Sequence, residues 1–218
     1  MRNLFLSATI LTFSAAAPAF ADHHKGSMSD DRPLIERDGD QVKLTNHAIS
    51  GNELLSADLV DIGTAIGSVD EIILNDEGKI AFIGYETSRF RDLDGEGYLA
   101  AGDMKLEADS GFGLDVSLNN IDTKKPNKRM RLSESEQQSQ MLSNILRDEI
   151  ETSDGIYDVR DVVFSPSGHA KYIIASTSSG GFLREGDAVA IPFDSVTYRD
   201  GAWRSKTAEM PIMFIAFV

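Results

Sequence analysis

The sequence predicts a mainly β protein of two similar halves joined by one amphipathic helix. Three observations carry this. Beyond Asn46 the chain alternates short apolar runs with Gly, Asn and Asp, the punctuation of strands and turns. The same grammar returns 90 positions later. One long stretch, from Ser133 to Ile150, carries a helical stripe instead.

The first 21 residues, "MRNLFLSATILTFSAAAPAFA", have a charged start, an apolar run and an Ala19-Phe20-Ala21 cleavage pattern. That is the grammar of a secretory signal peptide, with cleavage expected after Ala21 and a periplasmic destination. The apolar run is shorter than the roughly 20 residues a membrane span needs, so no membrane insertion is expected after cleavage. Residues 22–45 are polar and aperiodic and read as a flexible tail.

A first β-domain is expected over residues 46–120. "SVDEIILNDEGKIAFIGYE" reads as a hairpin around an "NDEG" turn. Its copy pairs Ile66 with Ile156, Val69 with Val159, Gly78 with Gly168 and Ile83 with Ile173. A second block repeats at an offset of 84, laying "GYLAAGDMKL" over "GFLREGDAVA". The change of offset predicts a six-residue insertion in the first copy, "RDLDGE", from Arg91 to Glu96. Residues 121–132, with the basic cluster from Lys124 to Arg131, read as a linker. Residues 133–218 are expected to hold the helix and the second β-domain. Ser133 and Glu136 form a capping box, and Met141, Leu142, Ile145 and Leu146 form one apolar stripe. The closing "MPIMFIAFV" reads as a buried strand.

At these residues the chain resembles the PRC-barrel family. "LLSADLVDIGTAIGSVDEIILNDEGKI" is similar to the family's opening, and Ile191-Pro192-Phe193-Asp194 to its closing strand. The first copy carries "LEADSGF" where the second has "AIPFDSV". The resemblance implies two compact six-stranded β-barrels, joined here by the single helix. It also implies a protein-binding or scaffolding role without fixed catalytic residues.

Composition narrows the function. The net charge of −14 repels nucleic acid and anionic lipid, which bind through Lys and Arg. The chain has no cysteine, so neither disulfides nor thiolate chemistry are available. Phosphate-cradling and hydrolase motifs do not occur; His169, leaving a turn at a position expected to be solvated, is the one candidate base for a nucleophilic serine. No enzyme is expected.

Two metal sites are candidates. "DLDGEGYLAAGD" has the acid spacing of a calcium loop, with Asp92, Asp94, Glu96 and Asp103 as ligands and the Tyr98 carbonyl as another. A chain starting Asp22-His23-His24 could also wrap copper through His24. The expected function is a non-catalytic, exported module that binds or scaffolds a protein partner or itself. The alternative is a calcium-responsive binding protein using the inserted loop Asp92–Asp103.

Overall fold

The computed structural model describes residues 33–38, 41–45, 48–61, 64–87, 95–108, 114–118, 132–177, 188–206 and 213–215. The predicted signal peptide, His23, His24, His47, Asp92, Asp94 and the basic cluster lie outside them. The described chain is mainly β, with a sheet that curls into a half-barrel.

A hairpin of β1 (Ile35–Asp38) and β2 (Gln41–Leu44) comes first. This corrects the expectation of a tail through residue 45. A D-G turn between alternating residues is a hairpin signal, and Leu34 just before it is buried. A short β3 (Ile49–Ser50) leads into α1 (Gly51–Leu54). The first sheet follows: β4 (Asp58–Asp61), β5 (Thr64–Leu74), β6 (Ile80–Thr87), β7 (Gly95–Ala100), a 3-10 turn at Ala101–Asp103, β8 (Met104–Ala108) and β9 (Leu114–Leu118). Its order is β7-β6-β5-β4-β9-β8, with β4 and β9 parallel.

The second half begins with α2 (Glu134–Gln140) and α3 (Leu142–Ile145). Then come β10 (Glu149–Thr152), β11 (Gly155–Phe164), β12 (Ala170–Thr177), β13 (Ala188–Pro192), a 3-10 turn at Phe193–Ser195, β14 (Val196–Arg199), β15 (Ala202–Ser205) and β16 (Met213–Ile215). Its path β13-β12-β11-β10-β15-β14 repeats the first sheet strand for strand, again with one parallel pair, β10 and β15. β16 then adds to the free side of β13.

The repeat extends to irregularities. Both long strands carry bulges, at Val69/Glu71 and Val159/Asp161 and again at Ile73/Leu74 and Val163/Phe164. Both hairpin turns place glycine at positive φ, 74° at Gly78 and 78° at Gly168, a region glycine enters without strain. In the first turn the Asn75 side chain accepts from the Lys79 amide; in the second, Ser165 Oγ accepts from the His169 amide.

Register corrects the second alignment. Ile83 faces Leu99, and its copy Ile173 faces Ile191; the same shift of 92 holds along the whole pair of strands. "YLAAGDM" therefore stands where the second half has "AIPFDSV", and Glu96 is the counterpart of Ala188. The acidic stretch up to Glu96 is not an insertion. The match of "GYLAAGD" to "GFLREGD" misled because glycine and aspartate recur at strand ends for turn chemistry alone.

The predicted single helix is also two. Met141 leaves helical geometry (φ −78°, ψ 120°) because its backbone bridges to Ile73 of β5. The apolar stripe serves α3, whose Leu142 and Ile145 are buried, whereas α2 buries no residue. Each four-residue helix packs on the other half's sheet, α1 on β11 and α3 on β5. One hydrophobic cluster consequently runs through both halves, from Leu54, Ile72 and Tyr85 to Ile145, Val162 and Trp203. The halves do not seal separate interiors.

Candidate functional site

The join between halves is built on two buried acids. Asp161 Oδ2 accepts from the Ser50 hydroxyl at 2.6 Å, and its Oδ1 from the amides of Asn52 (3.1 Å) and Val162 (2.8 Å). It thereby caps α1 from across the molecule. Glu71 does the reciprocal work on α3: Oε1 accepts from the Ser143 amide at 3.1 Å and the Ile72 amide at 2.9 Å, and Oε2 accepts from the Ser143 hydroxyl. The N-cap of α3 is Met141, which offers no side-chain acceptor, so the longer Glu71 supplies one. Burial raises the Asp161 carboxyl above its ordinary range, with the Ser50 hydroxyl and the backbone amides pulling it partly back. Both carboxylates are thus hydrogen-bonded across the join. The repeat gives a signal for them, because Glu71 and Asp161 align as charges inside two apolar strands.

Between the two hairpin turns, the Ile80 amide donates to the Gly168 carbonyl (2.9 Å) and the Ala170 amide to the Gly78 carbonyl (2.8 Å). This places His169, half-buried, opposite Lys79 of the other half. The position expected to be solvated is therefore half-buried. Its backbone amide, rather than its ring, meets Ser165 Oγ.

The outward faces of the sheets differ most. Across the first, register lines up Asp58, Ser68, Glu86 and Glu96 on four successive strands, all four exposed. Asp70, exposed in the bulge, adds a further acid. No cation pairs with these acids among the described residues. Beside the row, Tyr98 lies against Gly84 and Glu71, and burial, then the charges of Asp70, Glu71 and Glu96, hold its phenol above the usual range.

The corresponding row of the second sheet is Glu149, Asp158, Ser176 and Ala188. Arg160 stands where Asp70 stands in the first; it donates to Ser176 Oγ at 2.7 Å and pairs with Asp158 at 3.3 Å. Leu34 packs over Val163, Ile174, Ala188 and Ala190 on the same face.

A shallow polar groove of about 550 Å³ opens at the other end, beside β10, β14 and β15. Among the described residues, two of its three cations, Arg204 and Lys206 but not Arg199, are committed. Arg204 donates to Glu151 at 2.9 Å and lies 3.8 Å from Asp200, while Lys206 donates to the Asp194 carbonyl at 2.7 Å.

Of the predicted calcium ligands, Glu96 is in the acidic row and Asp103 ends the 3-10 turn after β7; Asp92 and Asp94 lie outside the described residues. From Glu96 to Ala100 the chain is extended and covers about 13 Å, at roughly 3.3 Å per residue. Oxygens around one calcium lie about 2.4 Å from the ion, so a site here would need the turn after β7 to bring Asp103 back toward Glu96. Among the described residues no group of three or more His, Asp or Glu side chains converges to hold a metal. Sequence reading missed Asp58, Asp70 and Glu86, which become neighbours only once strand register is known.

No protein-family model matches the chain, and no curated protein is significantly similar to it.

Proposed function

We propose that this chain is an exported, periplasmic, non-catalytic module that binds or scaffolds a protein partner, built from two PRC-barrel-like halves fused through a common core. One observation carries the reading: the outer face of the first sheet bears acids that no cation pairs among the described residues, while on the equivalent face of the second Arg160 pairs with Asp158 and Leu34 packs over the strands. Exposed like charges in a row repel one another and cost stability, so a surface that keeps them fits a role in recognition. The six-strand path repeated in both halves supports the architectural part.

The test is affinity capture from periplasmic extract on the immobilised protein, with calcium or with chelator, alongside Glu86→Lys/Glu96→Lys. A partner that is retained regardless of chelator and released by the double substitution fits the proposal. Retention only with calcium moves the function to the acidic loop, and no retained partner under either condition removes the binding role.

A further inference from the structure

The two halves treat one edge differently. In the second, the free side of β13 is closed by β16: Ala188 faces Ile215, Val189 faces Phe214 and Ala190 faces Met213. In the first, the same edge belongs to β7, and among the described residues no strand pairs with it beyond β6. A bare strand edge presents unpaired N–H and C=O groups, a ready template for an added strand. The protein's own second half shows that this fold accepts one there.

Resting on the protein-binding reading, we infer that β7 takes up an extended, basic segment of another protein by strand addition. The chemistry of the occupant follows from register. The slot that Ile215 fills beside Ala188 lies, in the first half, beside Glu96, and Glu96 ends the row through Glu86, Ser68 and Asp58. An added strand carries that row one place further, and opposite charges are favoured across strands. A lysine or arginine therefore belongs opposite Glu96. The next inward positions meet Gly97 and Leu99, both buried, which suits small or apolar residues. The segment thus alternates basic and apolar residues. The chain's own apolar "MFI" would set isoleucine against Glu96, and a second copy would bring another acidic row to the same edge with a net charge of −14.

The experiment titrates the protein with two short synthetic peptides, one alternating valine and lysine, the other valine and glutamate, following amide exchange and chemical shifts by NMR. The inference expects the lysine peptide to protect amides of Gly95–Ala100 and the glutamate peptide to leave them unchanged. Glu86→Lys/Glu96→Lys should weaken the lysine peptide about tenfold and admit the glutamate one, since each reversed pair shifts affinity by a fraction of the ~1.4 kcal/mol that is tenfold. Equal binding by the variant, or shifts spread away from β7, overturns the inference in favour of unspecific charge attraction. No binding overturns it too, leaving the acids as guards against edge-to-edge aggregation. Protection of β7 in the free protein together with sedimentation as a dimer makes a second copy the occupant. If the wild-type protein captures a partner that the double variant releases, yet the lysine peptide leaves β7 unchanged, the binding module stands and the β7 edge alone is refuted.

Discussion

The two halves share a sheet path, bulges, turns and caps, yet they fill the same space in opposite ways. On the inner face, Tyr85 of β6 lies over Gly97 of β7; in the second half Ala175 of β12 faces Val189 of β13. On the outer face, Gly84 faces Tyr98, where the second half sets Ile174 against Ala190. Each time a large residue on one strand is matched by a small one on its neighbour, and the assignment is exchanged between halves on both faces. Packing density in a core is fixed far more tightly than the identity of its residues, so pairs drift together. What the pairs cannot absorb shows on the surface, where one half was covered and the other left charged.

The largest effect comes from breaking one such pair. A Cβ on Gly97 would stand 2.5 Å from the Tyr85 hydroxyl, so Gly97→Val overpacks the core and should cost about 3 kcal/mol. Tyr85→Ala leaves a cavity and should cost about 3–4 kcal/mol. Together they recreate the second half's Ala175 and Val189, and urea unfolding should find the double variant less destabilised than the sum by about 3 kcal/mol. Additive losses would mean that the halves are not interchangeable at this site.

A smaller effect separates the reciprocal caps. Asp161→Ala and Glu71→Ala each strand helix amides and a serine hydroxyl, for about 2–3 kcal/mol. Asp161 has a further signature. Because burial raises its pKa above that of the unfolded chain, its contribution to stability is complete below the ordinary carboxylate pKa and is lost as pH rises through the raised value. The advantage of wild type over Asp161→Asn, measured by urea unfolding across the acid range, should therefore shrink toward neutrality. An advantage that grows with pH would show the donors around Asp161 to outweigh burial.

The comparison also shows what was legible in the sequence. The hairpins, their glycines and the 90-residue repeat could be read because turn chemistry and alternation are local. The capping box was equally readable: Ser133 Oγ accepts from the Glu136 amide at 3.2 Å, and the Glu136 carboxylate from the Ser133 amide at 2.6 Å. The break at Met141 was not, since it is made by a partner 68 positions away in β5. The acidic row was hidden for the same reason. Asp58, Glu86 and Glu96 are scattered along the chain and become a surface only through pairing. The β1–β2 hairpin was available and was obscured by the polar residues around Leu34.

The smallest difference sits at the paired turns. Gly78 and Gly168 share a left-handed backbone, so alanine at either should cost about 1–2 kcal/mol in strain alone. Their surroundings differ. A Cβ on Gly168 would meet Ile80 at 3.5 Å, an ordinary contact, whereas one on Gly78 would meet the Phe193 ring at 2.7 Å. The counterpart of Phe193 in the first half is Ala101, which leaves Gly168 room. Gly78→Ala should therefore cost about 1 kcal/mol more than Gly168→Ala in thermal or urea unfolding. In a Phe193→Ala background the gap should close, because that substitution gives both turns the same neighbour. A gap that persists there would trace the asymmetry to the turns themselves, "NDEG" against "SPSG", rather than to the aromatic ring that the second half lays on the first.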